Sequence, residues 1–393
     1  MTDATRAFDG VHRRNLSKVL RLVHENGAQP RSRITEATGL NRSTVASLVG
    51  ELAELGLVME RAPDPTRRVG RPSPIVDVDL RTVVLAVNPE VDAVTLGVIA
   101  LGGRVLHRER LEMDHIVSPE ETAQLVSAAI GRWAEDELAG CRVVGVGLAV
   151  PGIVRAEDGL VRWAPHLEWS QAPLRALVQD ATDLPASVGN DASLGALAEH
   201  LFGAGRGVDD IVYLNGGASG IGGGIIIGGA SVGGSGGYAG EFGQNRPGIG
   251  SLDDRRAVEG VLEDEVSRAR LLEAVGLAKA DEPTLAGALA ASPSPGVADE
   301  LARQRRILAT ALGNAINVLN PSLVILGGFL ATLASSDPAE LERAVAAQTV
   351  PTIFDGTRIA TAELGEDRLL IGAGELALAG LLDDPESVLS TPR

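Results

Sequence analysis

The stretch DIVYLNGGASGIGGGIII, residues 210–227, predicts two apolar strands, Asp210–Leu214 and Ile221–Ile227, joined through glycines. The glycines carry two readings. Ala218-Ser219-Gly220-Ile221-Gly222-Gly223-Gly224 has the composition of a nest whose backbone N–H groups hold a phosphate. It equally has the composition of a tight turn between sheet strands. Sixteen of the 48 glycines fall within 215–250. The alternation of strand and helix continues on both sides. Leu301, Leu308, Leu312, Ile316 and Leu319 stand at helical spacing in a helix over 297–319. A strand, Val324–Leu326, then ends in Gly327-Gly328, and a last helix covers 369–382. Upstream, residues 82–113 read as three successive strands with turns near Asn88-Pro89-Glu90 and Gly102-Gly103. A helix over about 119–138 and a buried strand, Val143–Val150, follow. Such alternation predicts an α/β architecture. Two halves, each opening on a strand hairpin, predict two lobes with a cleft between them.

The first 75 residues have a different pattern. Leu16, Val19, Leu20 and Val23 form one apolar helix face that Gly27 ends. A short helix over Arg31–Thr38 is broken by Gly39, and Asn41 is placed to cap a third helix. There Val45, Leu48, Val49 and Leu52 form the apolar stripe, while Ser43, Ala46, Ser47 and Gly50 lie opposite. A face of small residues with Arg42 at its start suits close approach to a major groove. Leu57–Arg61 and Ile75–Val78 then read as strands flanking a loop with Arg67, Arg68 and Arg71. The order helix, helix–turn–helix, basic hairpin predicts a winged helix-turn-helix whose Gly70-Arg71-Pro72 tip suits an A·T-rich minor groove. The competing reading is a small three-helix protein-interaction domain.

The balance of 35 basic against 52 acidic residues, net -17, argues against nucleic acid, whose phosphates attract positive charge. The total hides a split. Residues 1–75 hold 12 Arg/Lys against 8 Asp/Glu, net +4; residues 76–393 hold 23 against 44, net -21. This is the pattern of a basic reader joined to an acidic body. Cys141 is the only cysteine, which excludes an internal disulfide framework and a Cys-rich zinc site. No apolar run approaches the ~18 residues of a membrane span, and the N-terminus lacks a signal peptide's apolar core. The expectation is a cytoplasmic protein with no membrane partner.

Four blocks carry a family resemblance: VGLAVPGIV at 146–154, Asn190-Asp191, SGIGGG at 219–224, and Gly240-Glu241-Phe242-Gly243-Gln244. Together they resemble the ROK family (repressors, open reading frames and kinases), and the likeness extends over essentially the whole chain. The family's sugar kinases have an actin-like, two-lobed fold. A winged helix-turn-helix ahead of it is the arrangement of the family's repressors of sugar-metabolism genes. The resemblance implies an α/β chain with a winged helix-turn-helix at 1–78, a first ROK lobe at 79–200 completed by the C-terminal helix 369–383, and a second lobe at 201–368.

The resemblance also implies roles. In the family's Asn-Asp pair both side chains bind sugar hydroxyls, which falls here on Asn190 and Asp191; the Asp is the catalytic base only where kinase activity is retained. The alternative is that Asp191 merely caps a helix over 192–202. The family's Glu-x-Gly-His reads Glu241-Phe242-Gly243-Gln244, and Gln244 still donates and accepts hydrogen bonds but is a poor zinc ligand. The zinc motif C-x-C-G-x-x-G-C-x-E has no cysteine here; Glu259 is assigned its final Glu, and Asp253, Asp254 and Arg255 are expected to supply ion pairs instead. His166, in RWAPHLEWSQAPL (162–174), stands where the family often has Asn beside the sugar, or is a surface histidine. Trp163 and Trp169 are read as packing residues. Asn320-Pro321 and Gly327-Gly328 match the nucleotide-side segment, or a helix end and a strand end. The first phosphate loop, D-x-G-G-T in the family, is replaced by Asn88-Pro89-Glu90. Pro89 removes an amide donor, and Glu90 repels phosphate. No metal or cofactor is expected.

Three functions compete. The first is a transcriptional regulator, a repressor by preference, acting as a homodimer or homotetramer on a double-stranded DNA operator with a sugar or sugar-derived effector. Its DNA contacts are Arg42, Ser43, Ser47, Arg68 and Arg71, and its ligand pocket is Asn190, Asp191, Glu241, Gln244, Glu259 and His166. The second is an ATP-dependent sugar kinase with an extra N-terminal domain. The third is a regulator answering to another ligand or to a protein.

Overall fold

The computed structural model describes residues 3–62, 73–257 and 260–390. Helix α1 (Asp3–Asn26) buries Leu16, Val19, Leu20 and Val23 and ends at Gly27, whose φ of 71° only glycine adopts without strain. Strand β1 (Gln29–Pro30) leads into α2 (Arg31–Thr38). Gly39 closes α2 in the left-handed region, and the Asn41 side chain accepts from Thr44 N–H at 2.9 Å to start α3 (Arg42–Glu54). The predicted apolar stripe of α3 is buried. Strands β2 (Val58–Arg61) and β3 (Ile75–Val78) are antiparallel, and β1 joins the far edge of β3, which completes the winged helix-turn-helix core. Arg67, Arg68, Gly70 and Arg71 lie outside the described residues.

The first lobe opens with the antiparallel strands β4 (Thr82–Pro89), β5 (Ala93–Ala100) and β6 (Arg104–Glu112). Helix α4 (Pro119–Trp133) is capped by Ser118 and stops as a helix at Trp133; turns replace the expected continuation to 138. Strand β7 (Arg142–Val150) runs parallel to β4. A small sheet of β8 (Ile153–Val154), β9 (Val161–Ala164) and β10 (Trp169–Ala172), then α5 (Leu174–Thr182), precede β11 (Ala186–Asn190). The sheet order is β11-β7-β4-β5-β6. Strand alternation splits it cleanly. Val83, Leu85, Val87, Leu96 and Val98 face α4 and α5, whereas Val84, Ala86, Ile99 and Leu101 face the opposite core.

Helix α6 (Asp191–Phe202) leads to the second lobe. There β12 (Ile211–Gly217), β13 (Gly220–Ile227) and β14 (Ala230–Ser231) form an antiparallel set. Short helices α7 (Leu262–Glu265) and α8 (Arg268–Ala274), α9 (Glu282–Ala291) and the long α10 (Pro295–Leu319) follow. Strand β15 (Leu323–Gly328), α11 (Phe329–Ser335), α12 (Pro338–Ala346), α13 (Pro351–Phe354) and β16 (Arg358–Thr361) complete the lobe. Its sheet order is β14-β13-β12-β15-β16. The last helix, α14 (Arg368–Asp383), returns to the first sheet.

Helices α6 and α14 form the layer between the two sheets: α14 rests on β7, β4 and β11, and α6 on β13 and β12. Glycines permit this closeness. A Cβ on Gly372 would stand 2.2 Å from the Leu194 carbonyl oxygen, and one on Gly147 1.9 Å from that of Ala373. The apolar core around α14 is continuous with that of the N-terminal helices: Leu16, Val23, Leu52 and Val76 share it with Val84, Ile99, Leu194, Leu378 and Leu381. Ion pairs extend the contact, with Arg21 on Asp383 and Arg13 on Asp384.

Candidate functional site

Strand β11 delivers Asn190 and Asp191 directly into the start of α6. The Asn190 Oδ1 accepts from Ser193 N–H at 2.9 Å, so Asn190, not Asp191, caps the helix. Its Nδ2 donates to the Gly152 carbonyl at 3.1 Å and to Asp191 Oδ1 at 3.3 Å. Asn190 therefore positions its neighbour, and the cap leaves the Asp191 carboxylate free of that role. Asp191 also accepts from Ala192 N–H at 2.8 Å. Burial pushes its pKa up to about 6, against the pull of the Ala192 N–H and the Arg368 charge and with the help of Glu90.

The segment 240–244 lies against β13, and the glycine run of the strand is what admits it. A Cβ on Gly223 would meet the Phe242 ring at 2.4 Å, one on Gly222 the Ala192 Cβ at 2.6 Å, and one on Gly224 the Ala196 Cβ at 2.4 Å. Gly222, Gly223 and Gly224 are thus accounted for by packing. Glu241 is exposed yet has a raised pKa, through partial desolvation first and then the charges of Asp191 and Glu263. Gln244 Nε2 donates to Glu263 Oε1 at 2.6 Å, and Glu263 Oε2 accepts from Ile221 N–H at 3.1 Å.

Glu263 is the residue that sequence reasoning missed. Glu259, assigned the final Glu of the zinc motif, lies outside the described residues. With Gly260 taken as the second glycine of C-x-C-G-x-x-G-C-x-E, the final Glu falls on Glu263. That register was the available signal. The same register puts Asp254, Arg256 and Val261 at the cysteine positions.

The expectation that Asp253, Asp254 and Arg255 replace zinc needs correction. Asp254 does pair, at 2.7 Å, but with Arg306 of α10. The weight falls on Arg303 of α10, whose side chain is 3% exposed. It donates to Glu265 Oε2 (3.1 Å), the Asp254 carbonyl (2.8 Å), the Glu265 carbonyl (2.7 Å) and both Glu300 oxygens (2.9 and 2.8 Å). Those five contacts use all five guanidinium N–H groups. Among the described residues no group of three or more His, Cys, Asp or Glu is arranged to hold a metal ion. Cys141 stands at the foot of β7, and burial pushes its thiol pKa up.

The other predicted positions fall as follows. His166 is exposed in a short 3-10 turn, Pro165–Leu167, and shares no hydrogen bond with Asn190 or Asp191. Trp169 packs as expected and donates to the Val117 carbonyl at 2.9 Å; Trp163 does not, being 52% exposed on β9. Asn88 is buried and donates to the Ala149 carbonyl. Glu90 accepts from Thr95 at 2.8 Å and Arg110 at 2.7 Å, close enough to Asp191 to raise its pKa. Asn320 ends α10 in the left-handed region, and Gly327 and Gly328 end β15 against Tyr213, Asn215 and Gly216. Arg368 spans that region, donating to Asn215 at 3.1 Å and to Glu282 at 3.0 Å.

On α3, Arg42, Ser43, Ser47 and Gly50 are exposed together. Ser43 Oγ also donates to Asn41 Oδ1 at 2.7 Å, which ties it to the cap. Arg68 and Arg71 lie outside the described residues. Among the described residues no helix is long and apolar enough to cross a membrane.

Comparison with known proteins gives a consistent picture. The model of the ROK family matches residues 84–379. A xylose repressor from Caldicellulosiruptor bescii is 26% identical over 94% of this chain and 96% of its own length. A glucokinase from Halalkalibacterium halodurans is 30% identical, over 60% of this chain and 76% of its own length. Among solved structures, a ROK family transcriptional regulator, a homologue of the E. coli MLC protein, superposes with a TM-score of 0.74 at 23% identity. It covers 95% of this chain and 97% of its own.

Proposed function

This chain belongs to the ROK family, and on that premise we propose that it is a sequence-specific DNA-binding repressor of sugar-metabolism genes whose body senses a sugar. The observation that carries the reading is the likeness to a repressor along nearly the whole length, winged helix-turn-helix included. The glucokinase likeness spans a smaller share of the chain. The capped α3 presents Arg42, Ser43 and Ser47 to a major groove, and the sequence adds Arg68 and Arg71, outside the described residues, as candidate minor-groove contacts. The sugar lies between the lobes, where Asp191, Glu241 and Glu263 accept from its hydroxyls and Gln244 donates or accepts. His166 is kept as a candidate at the rim.

Kinase chemistry is not part of this reading. A kinase must cradle phosphates with backbone amides and a metal. Here the first phosphate loop is Asn88-Pro89-Glu90, with no N–H at Pro89 and a carboxylate whose charge helps raise the Asp191 pKa. The glycines of β13 are occupied by neighbours. A homodimer or homotetramer presents two winged helices to a two-fold operator.

The test is an anisotropy titration of a bound promoter fragment, with a coupled ADP-release assay over hexoses and amino sugars. The reading expects Arg71→Ala to weaken DNA binding about tenfold, in line with one lost phosphate or base contact, and no turnover. Unchanged affinity in Arg71→Ala removes the wing from the reading. Turnover abolished by Asp191→Asn replaces the reading with the kinase.

A further inference from the structure

Helix α6 has a different neighbour at each end. Its first turn carries Asp191 behind the Asn190 cap. Its last residue, Phe202, lies edge-on to the ring of His24 in α1, with centroids 5.5 Å apart and planes at 74°. The Phe202 ring also fills the space beside Gly103, where a Cβ would come within 2.8 Å of it. His24 is 1% exposed. The Gly102 N–H donates to its Nδ1 at 2.8 Å, so that nitrogen carries no proton. Its Nε2 therefore donates, reaching both Glu375 oxygens of α14 at 3.0 and 2.9 Å. Just past α6, Arg206 donates to the Glu25 carbonyl of α1. Helix α1 in turn packs on α3, where His12 and Glu51 meet at 3.0 Å.

We propose that α6 is the rod that passes occupancy of the ligand site to the DNA-reading helices, with Phe202 on His24 as its joint. A helix of 12 residues spans about 18 Å. The rod has little slack along its length. Gly372 of α14 sits against the Leu194 carbonyl with no room for a Cβ, and Leu194 shares its apolar core with α1 and α14. Close-packed cores pass on a shift rather than absorb it. A ligand acts through the rod only by binding one position of α6 better than another. By reciprocity DNA then changes sugar affinity by the same factor. The inference rests on the sensor reading above, but the joint can be tested without a ligand.

The experiment is backbone hydrogen exchange on the full chain, read in peptides covering 16–27 and 98–106, the second containing the Gly102 amide. Asn190→Ala uncaps α6 at its start. The proposal expects exchange in both peptides to rise about threefold or more over wild type. In Phe202→Ala the uncapping no longer reaches them: rates match with and without Asn190→Ala. Phe202→Leu, which keeps an apolar side chain without the ring edge, is run in parallel so that a folding defect in one variant leaves the comparison intact. Phe202→Tyr, which retains the ring edge, restores transmission. Wild-type rates in Asn190→Ala, or an uncapping effect of equal size with Phe202→Ala, overturn the proposal. A second arm adds saturating D-xylose or D-glucose. No sugar effect on α6 itself refutes the sensor reading, while the uncapping comparison still decides the joint.

Discussion

Replacing Arg303 with methionine removes the main buried tie between α10 and the loop behind Gln244 and Glu263, leaving the Arg306–Asp254 pair. The arginine makes five hydrogen bonds, two of them to a Glu265 side chain and carbonyl that are buried and two to Glu300. Burial alone raises the Glu300 pKa, yet the hydrogen bonds from Arg303 and Gln304 hold it below its ordinary value. Loss of one partner from a buried pair costs about 3–5 kcal/mol, because the other charge is stranded. Glu265 keeps backbone donors from Arg256 and Ala257, and Glu300 is 15% exposed. The expected loss is therefore at the low end, about 3 kcal/mol. Urea unfolding reads it as a lower midpoint at unchanged slope. Arg303→Met combined with Glu265→Leu recovers much of the loss, giving a coupling of about 2 kcal/mol. EDTA leaves the wild-type transition in place, since these ion pairs hold the loop. A loss under about 1 kcal/mol, or strict additivity in the double variant, refutes the claim that Arg303 anchors the loop.

Asp191 supplies a pH prediction. Its folded pKa of about 6 exceeds the ordinary 3.8, so the folded chain holds this proton more tightly and the group's contribution to stability falls as pH rises between those values. Asp191→Asn should flatten that part of the pH–Tm curve; a curve that keeps its slope contradicts it. Sugar affinity runs the other way, rising through about pH 6 as the carboxylate becomes an acceptor, and calorimetry checks this. Arg42→Ala should weaken operator binding by about 1–3 kcal/mol, without moving Tm, because the side chain is exposed. Glu375→Leu strands His24 and the Gly102 contact at the α1–α14 seam. It should cost about 1–3 kcal/mol, as a buried N–H donor loses its acceptor, with much of that recovered when His24→Leu is added; a single-variant melt that matches wild type sinks this assignment.

Local signals survived folding well. Helix α2 spans Arg31–Thr38 as its breaker Gly39, free to adopt a positive φ, and the Asn41 cap foretell, and β3 matches Ile75–Val78. The two-lobed α/β plan was also legible from alternation. What pattern reading missed is long-range. No periodicity reveals that Leu16 and Leu194 share a core, or that Arg303 reaches Glu265. Capping by Asp191 is the alternative to its ligand role, since both residues of the pair favour caps; the hydrogen bond from Ser193 N–H gives the cap to Asn190. Composition points to packing for Trp163, but its outward side of β9 follows only from the pairing with Ile153. Glu263 was lost by a frame of four residues in a motif stripped of its cysteines.

The split between a +4 reader and a -21 body now has a structural form, since α1 of the reader is built into the core of the first lobe. One measurement bears most directly on the central claim. Genomic fragments selected by the full chain are titrated by anisotropy, with and without D-xylose or D-glucose. The account predicts a selected promoter fragment bound at least about a thousandfold tighter than random DNA, with one sugar shifting that affinity about tenfold or more. Equal affinity for selected and random DNA, or an affinity that no sugar moves, contradicts it.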